Sequence, residues 1–270
     1  MADVTRIEWA DSSFNPWIGC QHVSPGCDHC YAEKQNAFRK WTAGGDWGPK
    51  AERRRTSSTT WNVPRRLNAG APAFARAYGR QRRIFCASLA DVFDNQVPEA
   101  WRADLFRLIR ETPELDWQVL TKWPQNIGKM LPTDWGTGYA NVWLGVTCED
   151  QEHYERRWPI LARIPAVVRF VSYEPALAPL TPTLANGLLP DWIICGGESG
   201  PGARFMDPTW ARRLGDRCHD LGVHLFMKQM TGKKPIPTDL LVRQFPMRDG
   251  TQAEESDAQS EPHQSIDRAG

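Results

Sequence analysis

From residue 83 onward, short apolar runs alternate with polar stretches and amphipathic segments in a repeating order. The runs are Ile84 to Ala87, Trp117 to Leu120, Val142 to Val146, Val167 to Val171, Trp192 to Cys195 and His224 to Met227. Near-continuous apolar runs of this length suit parallel strands buried on both faces. Between them, Pro98 to Thr112, Asp150 to Arg163 and Asp207 to Leu221 carry apolar residues at helical spacing. Asp207 followed by Pro208 predicts a helix start, and Gly222 predicts its stop. Successive runs lie roughly 24 to 34 residues apart, the size of a βα unit. Six such runs, with a first strand expected over residues 5 to 9, predict an α/β fold. The expected form is a partial (βα) barrel of about six to seven parallel strands, with a doubly wound open sheet as the alternative.

The N-terminal third is organised differently. Tyr31 to Trp41 has no Gly or Pro and predicts a helix. Residues 42 to 83 then combine Gly-Gly and Gly-Pro turns with ten basic residues between Lys50 and Arg83, against Glu52 alone. This basic insertion, interleaved with Trp61, Phe74 and Tyr78, is what a phosphate backbone and its bases favour, or else a solvated face. The expected organisation is a single α/β catalytic domain over residues 1–248 and a disordered acidic tail over 249–270, where no apolar period remains.

Composition narrows the picture only slightly. At 270 residues, 41% hydrophobic, 24% charged and a net charge of +1, the chain reads as an ordinary globular protein with no global attraction to polyanions. Thirteen tryptophans are a high count, and core packing explains most of them. The opening residues carry Asp3, Arg6, Glu8 and Asp11, which argues against a secretory leader, and no apolar run reaches the ~20 residues of a membrane helix. A cytoplasmic protein is expected, where a cysteine cluster binds metal in preference to forming disulfides.

That cluster lies between Trp17 and Tyr31, where Cys20, Cys27 and Cys30 follow the spacing C-x6-C-x2-C within a turning loop marked by Gly19, Pro25 and Gly26. Thiolates suit zinc or iron–sulfur centres, and three of them leave one coordination position open. With a 4Fe–4S cluster the fourth iron accepts an exogenous ligand. With zinc, His22 or His29 would complete a Cys3His structural site. The remaining cysteines, Cys86, Cys148, Cys195 and Cys218, lie singly in or near apolar segments as small buried hydrophobes.

In parallel α/β folds ligands bind at the carboxyl ends of the strands, so the polar residues that follow each run are candidates for the site. They are Ser88, Asp91 and Asp94; Thr121 and Lys122; Thr147, Glu149 and Asp150; Ser172, Tyr173 and Glu174; Gly196-Gly197-Glu198-Ser199-Gly200; and Lys228 with Gln229. Asp94 and Asp150 equally fit helix caps, and Lys122 a surface charge. Gly196-Gly197-Glu198 lets a backbone approach a ligand closely while a carboxylate meets an amine or hydroxyl.

Ile7 through Trp17, Gly26 through Glu33, Ser88 to Phe93, Leu120-Thr121-Lys122, Ser172 to Pro175 and Gly196 to Pro201 together make the chain, over about residues 5 to 235, similar to a largely uncharacterised phage and bacterial family. That family resembles a branch of the radical S-adenosylmethionine enzymes. The resemblance implies a 4Fe–4S cluster on Cys20, Cys27 and Cys30, S-adenosylmethionine on its open iron, an electron donor, and formation of a 5'-deoxyadenosyl radical that abstracts hydrogen from substrate. It implies cofactor contacts among Ser88, Asp91, Thr147, Glu149, Glu174, Gly196, Gly197, Glu198 and Ser199, with Glu174, Lys122 and Asp91 as catalytic groups. A nucleic acid or nucleotide is the expected substrate, through the basic insertion. The chain departs from the usual pattern of that superfamily in its six-residue first gap, in His29 before the third cysteine, and in a Gly-Gly-Glu that follows a late strand. The competing expectation is a zinc-stabilised, non-catalytic nucleic-acid-binding protein.

Overall fold

All six of the apolar runs are strands whose residues alternate between two faces of one sheet. The structure, a computed structural model, describes residues 4–247. The expected tail over 249–270 lies outside the described residues. In chain order the elements are β1 (Ser12–Ser13), β2 (Trp17–Ile18), α1 (Tyr31–Arg39), β3 (Arg54–Arg55), α2 (Ser58–Ala69), α3 (Ala71–Tyr78), β4 (Arg82–Cys86) and α4 (Glu99–Glu111). They continue with β5 (Leu115–Thr121), α5 (Pro124–Met130), β6 (Val142–Thr147), α6 (Gln151–Leu161), β7 (Val168–Tyr173), β8 (Trp192–Gly196), α7 (Pro208–Leu221) and β9 (His224–Gln229).

Seven parallel strands form one sheet in the order β1-β4-β5-β6-β7-β8-β9. The order is sequential and β1 does not pair with β9, so the sheet curls into a half-barrel with two open edges. Helices α4 to α7 start and stop as their termini dictate. Asp150 accepts from the His153 amide at 2.8 Å to open α6, and Asp207 accepts from the Thr209 amide at 2.8 Å to open α7. Gly222, at φ 67°, closes α7 in the left-handed conformation that glycine adopts without penalty.

Ile84, Cys86, Val142, Leu144, Val171, Ile193, Leu225 and Met227 belong to the large core, which also takes in Leu105 of α4, Trp158 of α6 and Leu214 of α7. Their neighbours Phe85, Trp143, Phe170, Trp192, Ile194 and Phe226 point the other way and, with Trp9, form an aromatic layer on the concave face. Trp9 meets Phe85 with ring centroids 4.5 Å apart, and Trp143 meets Trp192 edge-on at 5.9 Å. Such edge contacts match the ring quadrupoles. Gly145 on β6 makes room for this layer, since a Cβ there would lie 2.3 Å from the Phe170 ring.

One expectation is corrected. Residues 5 to 9 do not form the first strand. That strand is Ser12–Ser13, and the preceding residues turn so that Trp9 fills the concave face. Asp11 holds this entry in place, accepting from the Arg83 amide at 2.8 Å and from the Arg80 guanidinium at 2.7 Å. The basic insertion, for its part, is partly engaged within the fold. Arg53 is buried against Asp94, Arg55 pairs with Asp104 and covers Trp61, Arg65 pairs with Glu111, and Arg80 pairs with Asp11. Arg82 lies over Phe74 and Arg83 over Phe245. At least four of its ten cations are thus matched by carboxylates within the fold.

Candidate functional site

The cysteine loop leaves β2 at Gly19, which stands at φ 115° with its amide on the Leu89 carbonyl at 3.1 Å. Any side chain there would be strained, and its Cβ would lie 2.9 Å from Arg53 Cδ. The loop then crosses the carboxyl ends of the strands and is fastened at each crossing. Gln21 Nε2 donates to Asp94 Oδ1, after β4, at 2.8 Å. Ser24 Oγ donates to Glu149 Oε1, after β6, at 2.5 Å. After β8, Arg204 donates to the Pro25 carbonyl at 2.6 Å, to Asp28 Oδ2 at 3.0 Å and to Glu198, while His29 Nδ1 meets Glu198 Oε2 at 2.8 Å. Tyr31, the first residue of α1, donates its hydroxyl to the Ser88 carbonyl at 2.7 Å. The loop is therefore a strap over the mouth of the half-barrel.

Beneath the strap lies a cavity of about 510 Å³ whose wall includes Cys20, Cys27, Cys30 and the aromatic layer at Trp9 and Phe85. Of the expected site residues, Ser88, Asp91, Lys122, Thr147, Glu174, Gly197, Glu198 and Ser199 line it. Glu149 and Gly196 do not. Glu149 is fully buried, with Oε2 accepting from Arg157 Nη1 at 2.9 Å, and it supports the strap from below. Gly196 has its Cα hydrogen aimed at Glu174, to which a Cβ would come within 3.1 Å. A second cavity of about 350 Å³, lined by Arg55, Trp61, Arg65, Asp104 and Arg107, contains no cysteine, and its arginines are already paired.

The charged groups of the wall are unevenly satisfied. Burial pushes the Asp91 carboxyl up, against the Lys122 amide at 2.8 Å, the Thr121 hydroxyl at 2.7 Å and the Phe93 amide at 2.9 Å. Glu174 pairs with Lys228. Lys122 is drawn down by burial, but the nearby Glu149 carboxylate and the Cys27 thiol outweigh this and leave it raised. Burial, then Asp91 and Asp94, pushes the Cys20 thiol well up. Burial also raises Cys30, although the amides of Glu33 and Ala32 in the first turn of α1 pull against it. A thiolate in this wall therefore needs a positive centre beside it.

Burial acts to raise the Glu198 carboxyl, but Arg204 and then His29 outweigh it and hold the group at about 2, below its ordinary 4.5. A depressed acid stabilises the fold fully above its ordinary value and loses that contribution as pH falls through the folded value. Replacing Glu198 with Gln is expected to lower stability by about 2 kcal/mol at neutral pH. In urea unfolding at a series of pH values, the gap between the two proteins should persist at pH 5 and close as pH falls toward about 2. A gap that is the same at both ends would remove the Arg204 clamp from the account.

All three loop cysteines are free and partly buried. A single ion needs its ligands to converge on one point, and among the described residues no three His, Cys, Asp or Glu side chains do so. A polynuclear cluster takes each thiolate on a different iron, so the sulfurs need only face one cavity, as these do. His22 turns outward to Asp28, and His29 is held by Glu198. The donor set thus fits a three-thiolate cluster, and both loop histidines are engaged by carboxylates. Sequence reasoning missed Gln21, Ser24, Arg157 and Arg204, because each acts by a hydrogen bond across the fold that no local spacing signals.

A family model described as a protein of unknown function (DUF5131) matches residues 4–261. No curated protein matches the chain. Three solved structures of spore photoproduct lyase are similar to it. One is a double mutant with bound AdoMet and dinucleoside spore photoproduct, at 10% identity and a TM-score of 0.45, with 82% of this chain and 54% of that chain covered. The second, a cysteine-to-serine mutant, shows 12% identity and a TM-score of 0.43 over the same shares. The third, a tyrosine-to-phenylalanine mutant, shows 10% identity and a TM-score of 0.48 over 84% of this chain and 79% of that chain. The chain spans about half the length of the first two.

Proposed function

The chain belongs to the DUF5131 family, and from that premise we propose that it is a radical S-adenosylmethionine enzyme whose cluster is held by Cys20, Cys27 and Cys30. The observation that carries this reading is the strap itself: three free thiols on one loop, fastened across the carboxyl ends of a parallel half-barrel, facing a cavity large enough for a cofactor. When bound, such a cluster supplies the electron for reductive cleavage of the sulfonium, which yields the 5'-deoxyadenosyl radical.

The protein's own residues hold and orient. Arg204, Glu198 and His29 fix the strap from one side, and Ser24 with Glu149 from below. Ser88, Asp91, Thr147, Glu174, Gly197 and Ser199 are the wall groups within reach of a bound nucleoside or amino acid moiety. Gly197 is packed so closely on Thr231 that a Cβ would lie 2.6 Å from its amide, which leaves backbone alone on that wall. Lys228 Nζ donates to Glu174 Oε1 and fixes that carboxylate in the wall. An electron donor and a reducing compartment belong to this reading. No helix among the described residues is long and apolar enough to cross a membrane.

Anaerobic purification and reconstitution test the proposal. The expected result is a brown protein with about four iron and four sulfide per chain, lost on replacing the three cysteines with Ala. The reduced protein is expected to form 5'-deoxyadenosine from S-adenosylmethionine. Colourless protein holding about one zinc after reconstitution would instead establish the structural zinc alternative.

A further inference from the structure

Every carboxylate in the cavity wall is engaged within the fold: Glu174 with Lys228, Glu198 with Arg204 and His29, and Asp91 with Thr121 and two amides. Three cations of the same wall are not. Among the described residues, the side-chain nitrogens of Arg6, Lys122 and Lys233 have no hydrogen-bond or ion-pair partner. Lys122 stands in the field of Cys27 and Cys20, where three cluster thiolates would use its charge. S-adenosylmethionine brings a sulfonium, an ammonium and a single carboxylate, so it adds net positive charge and can meet at most one of the remaining two cations. Arg6 and Lys233, both exposed where the cavity opens to solvent, are thus available to a second, anionic ligand.

Their placement supports this. Arg6 precedes the first strand of the sheet and Lys233 follows the last, so they come from its two open edges. Lys233 is held at φ 58°, a left-handed conformation that residues with a side chain rarely adopt. The turn is locked in it: the Gly232 amide donates to the Glu198 carbonyl at 2.8 Å, the Lys233 amide to Met230 at 3.0 Å, and Thr231 Oγ1 to the Arg204 carbonyl at 3.0 Å. Strain that the surroundings over-determine is a mark of ligand clamps. Tyr31 and Trp47 stand in the same wall, with Tyr31 46% exposed, and offer rings for stacking.

We propose that the substrate is phosphate-bearing, a nucleotide or a nucleic-acid strand, with its phosphate between Arg6 and Lys233 and its base against Tyr31 or Trp47. This rests on the reading of the cavity as an S-adenosylmethionine site. It places polyanion recognition at the cavity mouth, apart from the basic insertion, where Arg53, Arg55, Arg65 and Arg80 are already paired. Phosphate contacts combined with aromatic stacking are the general means of binding unpaired nucleotides.

The test is fluorescence anisotropy on the full chain, with labelled single-stranded DNA and RNA of about twelve nucleotides, competed by AMP and by inorganic phosphate. Lys233→Glu and Arg6→Glu are each expected to weaken binding at least tenfold, with unchanged circular dichroism. Arg76→Glu, on an exposed face of α3, should bind as the parent does. Binding should weaken as salt rises. Competition by AMP equal to that by the unlabelled strand assigns a mononucleotide, and much weaker competition assigns a strand. Absence of binding to every probe, or full binding by both charge-reversed variants, overturns the inference. Iron content separates the two readings. An iron-free protein that still binds these probes defeats only the cofactor assignment, and an iron-loaded one that binds none defeats only this proposal.

Discussion

Replacing Glu149 with Ala is expected to destabilise the chain by about 3–5 kcal/mol, the penalty for leaving a buried charge without its partner. Glu149 and Arg157 are both buried, and they meet at 2.9 Å. Arg157 Nη1 also donates to the Thr147 carbonyl at 2.6 Å, while its Nη2 finds no partner, so the guanidinium has no spare acceptor to turn to. The same carboxylate receives Ser24 of the strap, and a Cβ on Gly26 would lie 2.5 Å from its Oε1. The substitution should therefore show twice: as a lower midpoint in urea unfolding, and as a lower iron content after reconstitution. Arg157→Ala should match it in stability. The double replacement Glu149→Leu with Arg157→Leu should be milder than the two single losses added together, because no charge is then stranded. A loss below about 1 kcal/mol for Glu149→Ala would mean that water reaches the pair.

Gly145→Ala is the second large effect. The added methyl would lie 2.3, 2.4 and 2.6 Å from three atoms of the Phe170 ring, which is itself fully buried in the layer. Overpacking of a rigid core reaches about 3 kcal/mol, which for a chain of this size lowers the melting temperature by roughly 6–12 °C. Combining it with Phe170→Leu should restore much of the loss, because the ring is what the methyl meets. If Gly145→Ala alone melts like the parent, the aromatic layer is not packed as described, and the floor of the cavity moves with it.

Apolar runs showed the sheet because strands buried on both faces leave a pattern independent of their partners, as in Val142 to Val146 or Trp192 to Cys195. β1 left no such pattern. Ser12 and Ser13 are both buried polar residues whose strand identity comes from pairing with Ile84 and Phe85, which only the folded chain supplies. The cysteine spacing and most of the rim were legible for the same reason as the sheet, since strand ends predict where loops converge. What the rim residues do there was not. Glu149 reads as a wall residue but serves as a buried support, and Glu198 reads as a ligand group but is occupied by Arg204 and His29. The arginines of the insertion illustrate the same limit, since a count of charges in sequence cannot show that Arg53 meets Asp94 or that Arg65 meets Glu111.

The strap also carries a consequence for biogenesis. Its thiols are made well before the groups that fasten it, which stand 125 residues onward at Glu149, 169 onward at Glu198 and 179 onward at Arg204. At about 5–20 residues per second, the ribosome delivers Arg204 on the order of ten seconds or more after Cys20, Cys27 and Cys30. Throughout that interval the three sulfurs belong to a nascent chain without a cavity. Metal delivered too early would meet a flexible thiol peptide, which selects by availability and not by shape. Insertion of the intended centre is thus a late event, open to a dedicated carrier and sensitive to how long the unfinished chain is exposed.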